Sequence, residues 1–112
     1  MNNIYGFETA EATFICNETV EKGATVTFNE YGKVIIAESS DLFCGVVTDV
    51  RNDCCSVVLK GHVRVSYNGI TPSMGYSKLV ADGDGKAMVS DAGRHILVVA
   101  VDETNKTIDI IL

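Results

Sequence analysis

The amino-acid sequence predicts an all-β fold, a compact β-barrel or sandwich built from two tandem copies of a β-hairpin unit, with little or no helix. Three observations carry this. Residues 32–59 lie on residues 85–112 without a gap, a displacement of 53 positions with six identities over 28 aligned positions, and Gly32-Lys33 meets Gly85-Lys86. Substitutions within the repeat keep their character, Val34-Ile35-Ile36 becoming Ala87-Met88-Val89 and Val57-Val58-Leu59 becoming Ile110-Ile111-Leu112. β-Branched residues dominate between Gly and Asn/Asp clusters, and no stretch holds an apolar period of 3.6 for three turns. A unit present only twice indicates one pseudo-symmetric domain over residues 1–112, because an open solenoid needs about three or more repeats to bury its core.

The elements follow in order. Residues 1–19 read as an N-terminal arm or first strand, with Ala12–Cys16 extended. The first copy occupies residues 20–61 and holds candidate strands Thr25–Phe28, Val34–Ala37, Phe43–Val50 and Cys54–Leu59. Its opening hairpin turns at Asn29-Glu30-Tyr31-Gly32, where Gly supplies the positive φ of a tight turn. Its closing hairpin turns at Asn52, a residue type that tolerates the left-handed region. Residues 62–74 form a connecting strand and turn, His62–Tyr67 alternating with Val63, Val65 and Tyr67 inward, and the single proline, Pro72, interrupts no ladder there. The second copy, residues 75–112, repeats the order as Lys78–Val80, Ala87–Val89, Ile96–Asp102 and Thr107–Leu112, with turns at Asp82-Gly83-Asp84-Gly85 and around Asn105.

A chain of 112 residues holds one domain and buries roughly two-thirds of its unfolded surface, so it needs neither disulfide nor metal to fold. A formal charge of −6 with nine scattered basic residues opposes direct nucleic-acid binding, which depends on Lys and Arg displacing counterions from phosphates. The longest apolar run, Ile96–Val101, falls far short of the roughly twenty residues of a membrane helix, so no membrane partner is expected. The start of the chain lacks the basic and apolar regions of a secretory signal, and synthesis in the cytoplasm is the expectation. Cys16, Cys44, Cys54 and Cys55 sit in apolar strand-like runs, where reduced thiols act as small hydrophobes.

Candidate chemistry yields to simpler readings. Asp82-Gly83-Asp84-Gly85 lacks the further ligands and closing Glu of a calcium loop and reads as a turn. His62, His95 and the cysteines have no paired metal-ligand spacing, and adjacent Cys54 and Cys55 point to opposite faces of a strand. Glu8, Glu11, Asp49, Asp53, Asp102 and Asp109 read as solvated hairpin positions, and no nucleophile elbow or phosphate loop accompanies them. The expectation is a protein without catalytic residues, cofactor or metal. Ile4, Tyr5, Phe7 and Phe14 stand ahead of the repeat, as a first strand or as an arm that docks on another subunit. In the last strand Ile108, Ile110 and Leu112 alternate inward, leaving Ile111 outward. Ile4, Tyr5, Phe7 and Ile111 are therefore the candidate interface residues of a homo-oligomer.

The order Gly23-x-x-Val26-x-Phe28, Gly32-Lys33, Gly45-Val-Val-Thr-Asp49, Val57-Val-Leu-Lys-Gly61-His-Val-Arg-Val65, Gly75-Tyr-Ser-Lys-Leu-Val80, Gly85-Lys86 and Ile108-Asp-Ile-Ile-Leu112 resembles small phage and prophage capsid cement, or head decoration, proteins. The resemblance covers about residues 20–112 and rests on glycine and aliphatic positions; residues 2–19 depart from it. It implies a non-enzymatic virion structural protein on the capsid exterior, made in the bacterial host cytoplasm. There it binds the major capsid protein, commonly as a trimer, and stabilises the shell. The alternatives are a small β-barrel binding module for a peptide or carbohydrate, and an enzyme whose site forms only between subunits.

Overall fold

The computed structural model describes residues 10–112, and all regular structure in them is β. The strands are β1 (Ala10–Ile15), β2 (Thr25–Phe28), β3 (Val34–Ile36), β4 (Gly45–Arg51), β5 (Cys54–Lys60), β6 (His62–Ser66), β7 (Gly75–Ala81), β8 (Ala87–Val89), β9 (Arg94–Asp102) and β10 (Thr107–Ile111). They form two five-stranded antiparallel sheets, ordered β1-β5-β4-β2-β3 and β6-β10-β9-β7-β8. Adding five to each strand number of the first order gives the second. The strand expected as a connector, His62–Tyr67, is thus integral to the second sheet: β6 lies beside β10 as β1 lies beside β5.

Each sheet meets itself at one corner. Cys16, just past β1, bridges Val34 of β3 in parallel, and Tyr67, just past β6, bridges Ala87 of β8 in the same way. The accompanying bonds also correspond. The Cys16 and Asn17 N–H groups donate to the Asp53 and Val34 carbonyls at 2.8 and 2.9 Å, and those of Tyr67 and Asn68 to Lys106 and Ala87 at 3.0 and 2.8 Å. Joining the two edge strands gives their backbone groups partners that an open sheet would leave to solvent or to another chain.

The opening hairpins match residue for residue. The Asn29 side chain accepts from the N–H groups of Tyr31 and Lys33 at 2.9 and 3.0 Å, and Asp82 accepts from those of Asp84 and Lys86 at 2.8 and 2.9 Å. Side-chain caps of this kind are why Asn and Asp favour turns. They also account for Asp82 as a structural residue of the loop.

The closing hairpins do not match as the gap-free alignment expects. Arg51 pairs with Cys54 across a two-residue turn, whereas Asp102 pairs with Thr107 across residues 103–106. The left-handed residue is Asn52 (φ 53°) in the first turn and Lys106 (φ 55°), not Asn105, in the second. Val47 pairs with Val57 and Val98 with Ile110, so β10 stands 53 positions after β5 but β9 stands 51 after β4 at this point. Both ladders carry a bulge in the same place, at Thr48 and at Val99.

Two apolar cores follow from the period-two alternation. Cys16, Val20, Ala24, Val26, Val34, Val47, Cys55 and Val57 form one, with Phe14 and Phe28 packed against it edge to face at 4.8 Å between ring centres. The second gathers Val65, Tyr67, Leu79, Ala81, Ala87, Ile96, Val98, Ile108 and Ile110, and Ala37, Phe43 and Val46 of the first half join it. Each fully buried aliphatic side chain contributes about 1.5–3 kcal/mol. The segment between β3 and β4 therefore stitches the halves together, with the Ser40 N–H donating to the Ala81 carbonyl at 2.9 Å and the Ala81 N–H to the Asp41 carbonyl at 2.8 Å.

Candidate interaction surface

Because facing residues of neighbouring strands point to the same side of a sheet, cross-strand pairs define continuous rows on its outer surface. One row of the first sheet runs Thr25, Val46, Val58, Glu11 across β2, β4, β5 and β1. Its counterpart in the second runs Tyr76, Leu97, Ile111, His62 across β7, β9, β10 and β6. Val46–Val58 and Leu97–Ile111 occupy the same positions in the shared strand order, yet the first pair is buried and the second half-buried.

The first row is covered by the second half of the chain. Thr25 is 0% exposed, Val46 0% and Val58 3%. The Thr25 N–H and hydroxyl donate to the Gly85 and Lys86 carbonyls at 3.0 and 3.1 Å, so the β7–β8 turn lies directly on this row. Val46 points away from the core on the other side of its own sheet, which holds Val47, and joins the second core. The second row is open, with Tyr76 73% exposed and Leu97 and Ile111 half-buried. Ile70 and Met74, at the approach to β7, are also largely exposed.

Polar groups border the open row. Lys78 and His95 face each other across β7 and β9 and are both exposed. At the far end Arg64 Nε donates to Asp109 Oδ1 at 2.8 Å, and His62 Nε2 lies 3.4 Å from Asp109 Oδ2. The hydrogen bond from the Arg64 guanidinium holds the Asp109 carboxyl below the usual carboxylate range. On this face Arg64 stands with Asp109 and Asp102, and Lys78 stands beside His95 at the other end. The surroundings are more acidic: residues 10–61 carry eight acidic and four basic side chains, a net of −4, whereas residues 62–112 carry six and five, a net of −1.

Of the candidate interface residues, Ile111 lies in the middle of the open row, and Ile4, Tyr5 and Phe7 lie outside the described residues. Phe14 takes the strand alternative and packs in the first core. Tyr76 and Leu97 escaped the sequence reading, although Tyr76 and Lys78 alternate with Ser77 and Leu79 in a pattern that marks them as outward. Cys16 and Cys55 are buried free thiols, and Cys44 and Cys54 are half-buried free thiols. Burial, with the Cys16 thiol beside it, pushes Cys55 up to about 12, far from the thiolate form that attacks electrophiles or binds metals. Among the described residues no three His, Cys, Asp or Glu side chains gather as a metal-binding group. No protein family, curated protein or solved structure matches the chain.

Proposed function

We propose that the protein is a non-enzymatic phage or prophage structural protein that binds the outer surface of a capsid and stabilises it. The observation that carries the reading is the apolar row on the outer face of the second sheet, where Tyr76 is exposed and Leu97 and Ile111 are half-buried, with Met74 exposed just ahead of β7. Large apolar side chains gathered at one surface of a small acidic chain mark a protein–protein contact. The resemblance of residues 20–112 to capsid cement proteins supplies the partner, the major capsid protein, and a trimer as the assembly that presents several such faces to the shell at once. Repetition lets weak individual contacts add up.

The test uses shells assembled from the major capsid protein of the phage or prophage that carries this chain. The protein should co-sediment with the shells at saturating stoichiometry and raise their disruption temperature. Absence of binding to mature shells, or binding that leaves their disruption temperature unchanged, refutes the proposal.

A further inference from the structure

We propose that the open row of the second sheet is the docking site for the first half of a second copy of this chain, placed as the second half is placed on the first within one chain. Topology and register support the contact. Val46–Val58 and Leu97–Ile111 are the same cross-strand pair of the same strand order, extended by Thr25 on β2 and by Tyr76 on β7; among the described residues the first pair is buried under the other half, whereas the second is only half-buried and ends at an exposed tyrosine. Within the chain the cover includes the turn Asp82–Lys86, whose counterpart in the first half is the turn Asn29–Lys33 with the same side-chain cap. That counterpart carries Tyr31, which is 85% exposed, beside Glu30. A second copy would thus bring an exposed aromatic and a carboxylate from a half of net charge −4 onto a row bordered by Lys78 and His95. The charges of Glu30 and Lys78 are complementary.

The contact is head to tail, each chain using one surface to give and another to receive. Such contacts close into rings when the rotation permits and otherwise extend as filaments. Closure at three copies places six five-stranded sheets around one axis. The inference deepens the oligomeric part of the proposed function and is tested without any shell, so a failure of shell binding leaves it standing and its own failure leaves shell binding open.

The experiment is sedimentation velocity on the full chain, on Tyr76→Glu, on Tyr31→Glu and on an equimolar mixture of the two variants. Both substituted side chains are exposed, so melting curves close to wild type are expected. Should either glutamate unfold the chain, Tyr76→Ser or Tyr31→Ser takes its place. Wild type should assemble with rising concentration, and each variant alone should associate at least tenfold more weakly. The mixture should give a complex of two chains that grows no further, because Tyr76 of one variant still meets Tyr31 of the other while the reciprocal junction is lost. A wild type that stays monomeric overturns the inference, as does a variant that assembles as wild type does. A mixture that remains monomeric also overturns it, since the intact Tyr76 face of one variant and the intact Tyr31 face of the other would then fail to join.

Discussion

Gly93 offers a sharp test of how tightly the second sheet is built. A β-carbon at this position would stand 2.6 Å from the Leu79 nitrogen, 2.7 Å from its oxygen and 2.8 Å from its carbonyl carbon. Ordinary contact begins at about 3.5 Å, so Gly93→Ala must open the gap by roughly 0.7 Å or more. The obstructing atoms are main chain, and Leu79 is itself held in the sheet by pairing with Val89 on one side and Arg94 on the other. Forced overpacking of this kind costs about 1–3 kcal/mol, and immovable neighbours place Gly93→Ala toward the top of that range. Unfolding entropy scales to about 0.24 kcal/mol per kelvin for a chain of 112 residues, so a 2–3 kcal/mol loss lowers Tm by about 8–12 °C. The control is Gly23→Ala, where φ is +89° and nothing lies within 4 Å of the added carbon. It carries only the conformational penalty of about 1–2 kcal/mol. Urea unfolding of both variants with a shared m-value ranks them. A Gly93→Ala loss below about 0.5 kcal/mol, or one smaller than that of Gly23→Ala, would refute the reasoning.

Three further outcomes are expected. Asp109→Asn should destabilise the fold. Because the folded carboxyl titrates below its unfolded value, its contribution is complete above the unfolded pKa of about 4 and disappears as pH falls through the folded one; the gap between wild type and variant should therefore narrow in acid, as measured by denaturant titration from pH 7 down to 2.5. Lys106→Gly should raise stability by about 0.5–1 kcal/mol, since the lysine sits at φ 55° and the relief of left-handed strain exceeds the added freedom of the unfolded glycine; unchanged or lower stability would contradict this. A thiol reagent at neutral pH should leave Cys16 and Cys55 unmodified in the folded protein and label all four cysteines in denaturant, while a reductant should leave Tm unchanged to within about a degree or two, where loss of a native bridge typically costs about 2–5 kcal/mol.

The all-β class, the turns and most of the strands were legible because they rest on local chemistry: period-two alternation, Asn29 and Asp82 as turn caps, and Gly and Asn at positions that bend the chain. The pairing of β1 with β5 and of β6 with β10 was not legible, because it joins strands far apart in sequence and depends on what each buries. His62–Tyr67 reads as a half-buried strand, and nothing in its own residues says that it completes a sheet rather than linking two copies. The crossing of Phe43 into the second core is hidden in the same way, since a phenylalanine beside a strand names no partner.

The open row was hidden for a more specific reason. Gly32-Lys33 and the aliphatic run of the final strand both stand displaced by 53, and that displacement carried across β4 sets Val46 against Val99. The extra two residues of the 103–106 turn move the structural partner of Val46 to Leu97. With the register corrected, Val46 and Val58 fall on Leu97 and Ile111, and Thr25 and Tyr76 are their respective neighbours on β2 and β7. The same topology holds the demands of the fold nearly constant between the halves, so apolar residues at equivalent outward positions, buried in one half and half-buried in the other, are open to a role beyond their own sheet. Leu97 keeps part of its side chain at the surface beside the exposed Tyr76, where β-branched or polar residues would fit the strand as well. Its retention beside Tyr76 and Ile111 is the expected pattern of a surface completed by another chain.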